Sequence, residues 1–255
     1  MFYRVEDNFM LVLSFGRGKK SKLTVSLFLI ATVLFSAITS FILKQYRNGE
    51  LFITADSSPY DKVIILDAGH GGEDSGAIGV RGILEKDINL SVTLEIGELL
   101  EKEGFTVVYT RMEDKLLYSE EQNIKGIRKI SDLKNRCKIA ENYPDALFIS
   151  IHMNSFGDSK YSGLQVYYSG ENEKSRILAE SVQSKVKELL QPENNRKTKN
   201  GKGIYLLENI SCEAILVECG FLTNKDECKK LSQKEYQKQL SFSIVCGIIE
   251  YVSKT

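Results

Sequence analysis

Three short runs of this chain are apolar without interruption, and each ends on a residue that chemistry can use. Residues 63–66 (VIIL) lead into Asp67-Ala68-Gly69-His70, 147–151 (LFISI) end at His152, and 214–217 (AILV) end at Glu218. A strand that is apolar at successive positions must be covered on both faces, unlike an alternating strand with one wet side. Residues 105–109 and 163–168 read as two further strands. Between them, 87–102 carry Ile88, Leu90, Val92, Ile96, Leu99 and Leu100 at largely helical spacing, with Gly104 as a cap. Residues 132–142, 174–190 and 234–252 read as helices too. Covered strands alternating with amphipathic helices predict an α/β fold, a single sheet layered by helices, over residues 61–255.

The N-terminal part has a different character. Residues 23–43 hold 21 positions without a charge, enough to cross a hydrocarbon core of about 30 Å at about 1.5 Å per residue. Arg17, Lys19, Lys20 and Lys22 precede this run, against Lys44 and Arg47 after it. That asymmetry predicts a cytoplasmic segment over 1–22, a transmembrane signal-anchor over 23–43 and an exported remainder in the cell envelope. A cleaved signal is the competing reading, with Ala37 and Thr39 as a weak processing site. Residues 44–60 are polar and aperiodic, as expected of a linker.

Lysine plus arginine and aspartate plus glutamate each number 34, so the net charge is zero. Without a basic excess, sequence-independent nucleic-acid binding is excluded as an expectation. The five cysteines form no CxxC pair, which argues against a thiolate zinc site and for small buried side chains.

The chain has two histidines, and both fall at strand ends with Glu218. Ligand sites of open α/β sheets gather at the carboxyl ends of strands. Each residue alone also has a structural reading, a loop hydrogen bond or an ion-paired strand end. Together, two imidazoles and one carboxylate suffice for a catalytic zinc with one position left for water. Asp67, Glu73, Asp74, Glu85 and Asp87 are all candidates for the third ligand, and spacing does not choose among them. Glu218 suits a general base outside the metal shell, because desolvation at the end of an apolar strand raises a carboxyl pKa.

Four ordered segments carry a resemblance. They are Ile65-Leu66-Asp67-Ala68-Gly69-His70-Gly71-Gly72 with Asp74 and Gly76; Gly82-Ile83-Leu84-Glu85-Lys86-Asp87-Ile88-Asn89-Leu90; Ser150-Ile151-His152-Met153-Asn154-Ser155; and Leu216-Val217-Glu218-Cys219-Gly220-Phe221-Leu222-Thr223-Asn224. This series resembles the zinc-dependent N-acetylmuramoyl-L-alanine amidases over about 62–253. The resemblance implies Zn2+ held by His70, Glu85 and His152, Glu218 as the catalytic glutamate, and Asn154 as a substrate contact. It also implies a mostly parallel sheet of about six strands, and a structural role for Arg136.

Two positions depart from the family pattern: Glu213 stands where proline is usual, and 204–209 lack a basic residue common there. Cys219 beside Glu218 invites a nucleophile reading, but with both histidines claimed by zinc no base remains to activate it. The implied reaction on peptidoglycan cleaves the amide between N-acetylmuramic acid and L-alanine of the stem peptide. An anchor followed by one catalytic domain resembles the germination-specific spore-cortex amidases, whose reaction leads to muramic-δ-lactam. A vegetative wall-remodelling amidase, or a catalytically weak wall-binding protein dependent on a partner, are the alternatives. The linker and the charged stretch 112–134 are the expected places for a regulatory protein partner or glycan contact, with a solvated surface loop as the alternative reading of that stretch.

Overall fold

The computed structural model describes residues 60–170 and 172–255, together with Thr32, Phe35, Ser36 and Ser40. The segment expected over 1–22, the anchor over 23–43 and the linker over 44–60 lie outside the described residues, apart from those four and Tyr60. Among the described residues, no helix is long and apolar enough to cross a membrane. The chain divides into two compact units, 1–56 and 57–255; the sheet, its helices and all the residues singled out above for chemistry belong to the second.

Six strands form one sheet: β1 (Val63–Ala68), β2 (Thr106–Tyr109), β3 (Leu147–Asn154), β4 (Gln165–Tyr168), β5 (Lys199–Asn200) and β6 (Glu213–Phe221). Their order is β2-β1-β3-β6-β4-β5. β2, β1, β3 and β6 run parallel. β4 pairs antiparallel with β6, and β5 follows β4. The helices are α1 (Glu85–Lys102), α2 (Arg128–Glu141), α3 (Glu173–Leu189), α4 (Tyr205–Asn209), α5 (Lys225–Leu231) and α6 (Lys234–Val252). The α/β expectation holds, and the sheet is mostly parallel.

Period-two alternation sorts the strands into two faces. Ile64, Leu66, Ile149, Ile151, Ile215 and Val217 pack with Val92, Ile96, Val182 and Ile244, beneath α1, α3 and α6. On the other face Ile65, Phe148, Ala214 and Leu216 pack with Cys137 and Ala140 of α2 and Leu206 and Leu207 of α4. Polar caps fix several helix starts. The Asn172 side chain accepts from Ser175 N ahead of α3, and Asn224 accepts from Asp226 N and Glu227 N ahead of α5.

Some boundaries differ from the sequence expectation. β3 continues past His152 to Asn154, and β6 continues past Glu218 to Phe221. Parallel pairing accounts for this: His152 aligns with Glu218, and the ladder resumes at Asn154 and Phe221 after a register shift. α1 begins at Glu85, two residues early, because Glu85 and Asp87 suit the positive end of a helix. α2 begins at Arg128 rather than 132, and α4, α5 and β5 lie in segments whose sequence offered no clear period.

The second face also holds a buried ion cluster. Arg136 is 1% exposed and pairs with Asp67, itself fully buried, and with Asp132. Thr110 Oγ1 and Ser150 Oγ donate to Asp67 at 2.7 and 2.6 Å. Burial alone would raise the Asp67 pKa, but the Arg136 charge and these hydroxyls win and lower it. This bears out a structural role for Arg136. Removing one partner of such a cluster strands the others' charge. Arg136→Ala should therefore lower the unfolding free energy by about 3–5 kcal/mol in urea denaturation at pH 7; a loss under about 1 kcal/mol would show that the cluster is dispensable.

Candidate functional site

The turn after β1 carries the first histidine. Gly69 N donates to Ile151 O, extending the pairing toward β3. His70 follows with φ of 63°, the left-handed region that a non-glycine residue enters at a cost. Its carbonyl accepts from Arg136 Nη2 at 2.9 Å, so the ion cluster beneath holds the turn in place.

Glu85 arrives from the first turn of α1 and His152 from β3. The ligand atoms of His70, Glu85 and His152 lie within 4.8 Å of one another. His152 Nδ1 is 2.9 Å, and His70 Nε2 3.3 Å, from Glu85 Oε1. Met153 N and Asn89 Nδ2 also donate to Oε1, and Ala77 N donates to Oε2. Burial would raise the Glu85 pKa, but hydrogen bonds from His152 and His70 drive it far below the carboxylate range. Burial would lower the His70 pKa, but its bonds to Asp74 and Glu85 push it up to about 9.

The five candidates for third ligand thus separate. Asp67 belongs to the ion cluster, Glu73 pairs with Arg128, and Asp87 is exposed. Asp74 accepts from His70 Nδ1 at 2.9 Å and orients that ring, also pairing with Lys129. Glu85 alone reaches both imidazoles, the arrangement that family resemblance implied.

Glu218 stands in register with His152, so its side chain emerges on the same face one strand away. Its Oε2 is buried without a hydrogen-bond partner. Burial first, and the Glu85 charge second, push its pKa up to about 7 against the pull of His152 and His70. Two carboxyl groups in one site are thereby pushed in opposite directions, the arrangement that separates a ligand from a proton carrier. Cys219 faces away into the core, fully buried, its thiol pKa raised well above normal by burial and nearby carboxylates; it has no access to the site. Asn154, two residues beyond His152, lines an adjoining cleft of about 320 Å³.

Two contributors escaped the sequence reading. Arg111 is 2% exposed and donates to the carbonyls of Ala68, Gly69 and Lys86. Asn89 Nδ2 bridges Gly69 O and Glu85 Oε1. Most of their acceptors are backbone carbonyls of distant segments, which leave no trace in the residues beside them.

Close approach also sets two glycines. A Cβ on Gly69 would lie 2.2 Å from His152 Nε2, and one on Gly76 would lie 2.5 Å from Glu85 Oε2. Gly69 has no left-handed backbone, so Gly69→Ala should leave the fold intact while displacing the His152 ring. Divalent-metal affinity should fall roughly 10–100-fold, read by metal titration alongside a far-ultraviolet circular dichroism control. Unchanged affinity would show that the ring has room to move.

Comparison with known proteins shows the family. Residues 64–250 match the N-acetylmuramoyl-L-alanine amidase family. The germination-specific N-acetylmuramoyl-L-alanine amidase of Bacillus subtilis is 34% identical over 210 residues, covering 82% of this chain and 88% of that protein. Among solved structures, the CwlD amidase of Clostridioides difficile, in complex with the GerS lipoprotein, shares 42% identity. It superposes with a TM-score of 0.74 and covers 76% of this chain and 100% of that one. The amidase AmiC2 of Nostoc punctiforme shares 33% identity with a TM-score of 0.65, over 75% and 97% of the two chains. The chain belongs to the N-acetylmuramoyl-L-alanine amidase family and is an enzyme of that class acting on peptidoglycan.

Proposed function

We propose that this amidase holds Zn2+ on His70, Glu85 and His152, moves protons through Glu218, and acts in spore-cortex maturation from a membrane-anchored position. The observation that carries the site assignment is the convergence of two imidazoles and one carboxylate from three separate elements. The donor set suits zinc: neighbouring ligands of a tetrahedral zinc lie roughly 3.3 Å apart, close to the 2.9 and 3.3 Å separations about Glu85 Oε1. When bound, zinc supplies a Lewis acid that polarises the scissile carbonyl and acidifies water.

The chain's own residues do the rest. Asp74 accepts from His70 Nδ1 and so fixes which ring nitrogen faces Glu85. Backbone and side-chain donors on Glu85 hold its carboxylate in one orientation. Glu218, with a pKa near 7 and one oxygen free of partners, accepts a proton from the attacking water and returns it to the departing L-alanine amine.

The setting rests on different support. The germination-specific amidase of B. subtilis and the CwlD amidase are among its relatives, which favours the spore cortex and formation of muramic-δ-lactam. CwlD crystallised with a lipoprotein, which favours a regulatory protein partner here as well. The uncharged 23–43 run favours an anchor that keeps the catalytic domain in the cell envelope.

Two measurements test the chemistry. Zinc must displace the proton that His70 holds below about pH 9. Titration calorimetry at pH 7.5 in buffers of different ionisation enthalpy should therefore show at least about one proton released per zinc, the His70 proton together with any lost from acidified water. A chelator should abolish release of stem peptides from purified peptidoglycan, and full activity with metal-free protein would overturn the assignment.

Glu218→Gln should keep zinc but lose at least about 100-fold in turnover. The same change should stabilise the metal-free fold. The carboxyl pKa is raised on folding, so ionisation favours the unfolded chain and erodes stability as pH rises from about 4.5 through 7. The variant should gain up to about 3 kcal/mol above pH 7 and nothing near pH 4. Normal turnover, or no pH-dependent gain in denaturant unfolding, would contradict this role.

A further inference from the structure

The cleft of about 320 Å³ begins where the row of site residues ends. Asn154 and Phe221, which line it, are register partners lying two residues beyond His152 and three beyond Glu218. Gln165, also on its wall, is the cross-strand partner of Glu218 on the other side.

Arg196 heads this cleft and is held there without a direct ion pair, the buried Glu227 carboxylate acting on it only through space. Its Nε donates to Ser162 O at 2.7 Å and Nη1 to Gln165 Oε1 at 3.3 Å. Its guanidinium carbon sits 4.5 Å from the centre of the Phe221 ring and 5.7 Å from that of Tyr161. Among the described residues no carboxylate lies within ion-pair distance of it, whereas Arg128, Arg136 and Arg176 each pair with one. Nη2 has no hydrogen-bond partner among the described residues. Lys199 adds a second cation at the rim, exposed on β5. The Tyr167 phenol lies within electrostatic reach of both Glu218 and Arg196, raised by burial and by Glu218 and lowered by Arg196. Tyr167 lines the same cleft as Arg196, on the strand that pairs with that of Glu218.

A guanidinium fixed on aromatic faces with an open edge is built to receive an anion in bidentate fashion. On the glycan side of the scissile amide, N-acetylmuramic acid offers hydroxyls and an acetamide, which are neutral. On the peptide side, the second stem residue is a D-glutamate with a free α-carboxylate. Two residues of extended chain span roughly 7 Å, matching the two-residue step along β3 from His152 to Asn154. We propose that this cleft is the stem-peptide subsite, in which Arg196, assisted by Lys199, recognises the carboxylate of the second stem residue. The enzyme would then discriminate against stem peptides in which that carboxylate is an amide. This inference rests on the amidase reading and assigns the direction in which substrate lies across the site.

The test uses the zinc-loaded full chain and two muramoyl peptides that differ only in a carboxylate or a carboxamide at the second residue. The quantity read is the ratio of kcat/KM values, in which any loss of active enzyme cancels. Wild type should favour the carboxylate at least about 10-fold, mainly through KM. Arg196→Gln should bring the ratio close to one, with Arg196→Lys between, and Lys199→Gln should lower it less. A wild-type ratio near one, or a preference that survives Arg196→Gln, would overturn the subsite. Cleavage of neither peptide would overturn the amidase reading, and the subsite with it.

Discussion

Two buried guanidinium groups hold the turn on which the site depends. Arg136 donates to the carbonyls of Ala68 and His70, and Arg111 to those of Ala68 and Gly69. Three consecutive carbonyls are thus captured at a place where the chain leaves the sheet and its own ladder offers them no partner. Unpaired, each would cost on the order of 1–3 kcal/mol, and His70 would have no reason to keep its left-handed backbone. Arg111 also donates to Lys86 O at 2.9 Å, so the same side chain ties the first turn of α1, and with it Glu85, to the His70 turn. One side chain thus ties together the backbone segments that carry two of the site residues.

The two glutamates show how burial can be put to opposite uses. Glu85 is more deeply buried than a lone carboxylate tolerates, and four donors on one oxygen and one on the other compensate for it. Glu218 is shielded and left with an oxygen unpartnered. Satisfying Glu218 in the same way would lower its pKa and stabilise the fold, but it would leave the group unable to hold a proton near neutrality. The unpartnered oxygen is a local cost that the proton-carrying role proposed for Glu218 would require, and the apolar packing of Ile215 and Val217 on the opposite face of the same strand helps to offset it.

Much of this was legible in the sequence because apolar runs and helical periods report burial directly. The three covered strands, four long helices and the α/β class follow from that alone, whereas the mostly parallel sheet of six strands came from the family resemblance. His70, His152 and Glu218 stood out because strand ends are where such sheets bind ligands. Periodicity was silent on Glu85, which sits 15 residues from His70 among four other acids; only the family pattern singled it out. It was silent too on Arg111 and Arg196, whose roles depend on carbonyls and rings contributed by distant elements. The continuation of β3 and β6 past His152 and Glu218 was missed for a related reason. Polar residues there look like strand ends until the partner strand supplies the ladder.

The charged stretch 112–134 takes on a different meaning in three dimensions. Leu117 N donates to Asp132 Oδ1, Lys115 O lies against Gly71, and Arg128 and Lys129 pair with Glu73 and Asp74. Its two ends therefore wall the His70 turn, while 123–127 between them stay exposed. Register ties that wall to the chemistry. Asp67 aligns with Ser150 in the ladder, His152 aligns with Glu218, and all four face the same side. The buried ion cluster and the candidate site residues thus occupy successive rows of one face. Slipping β3 by a single residue would turn Ser150 and His152 into the apolar core together. The charge pairing that stabilises the fold thus favours the same register that brings His152 beside Glu218.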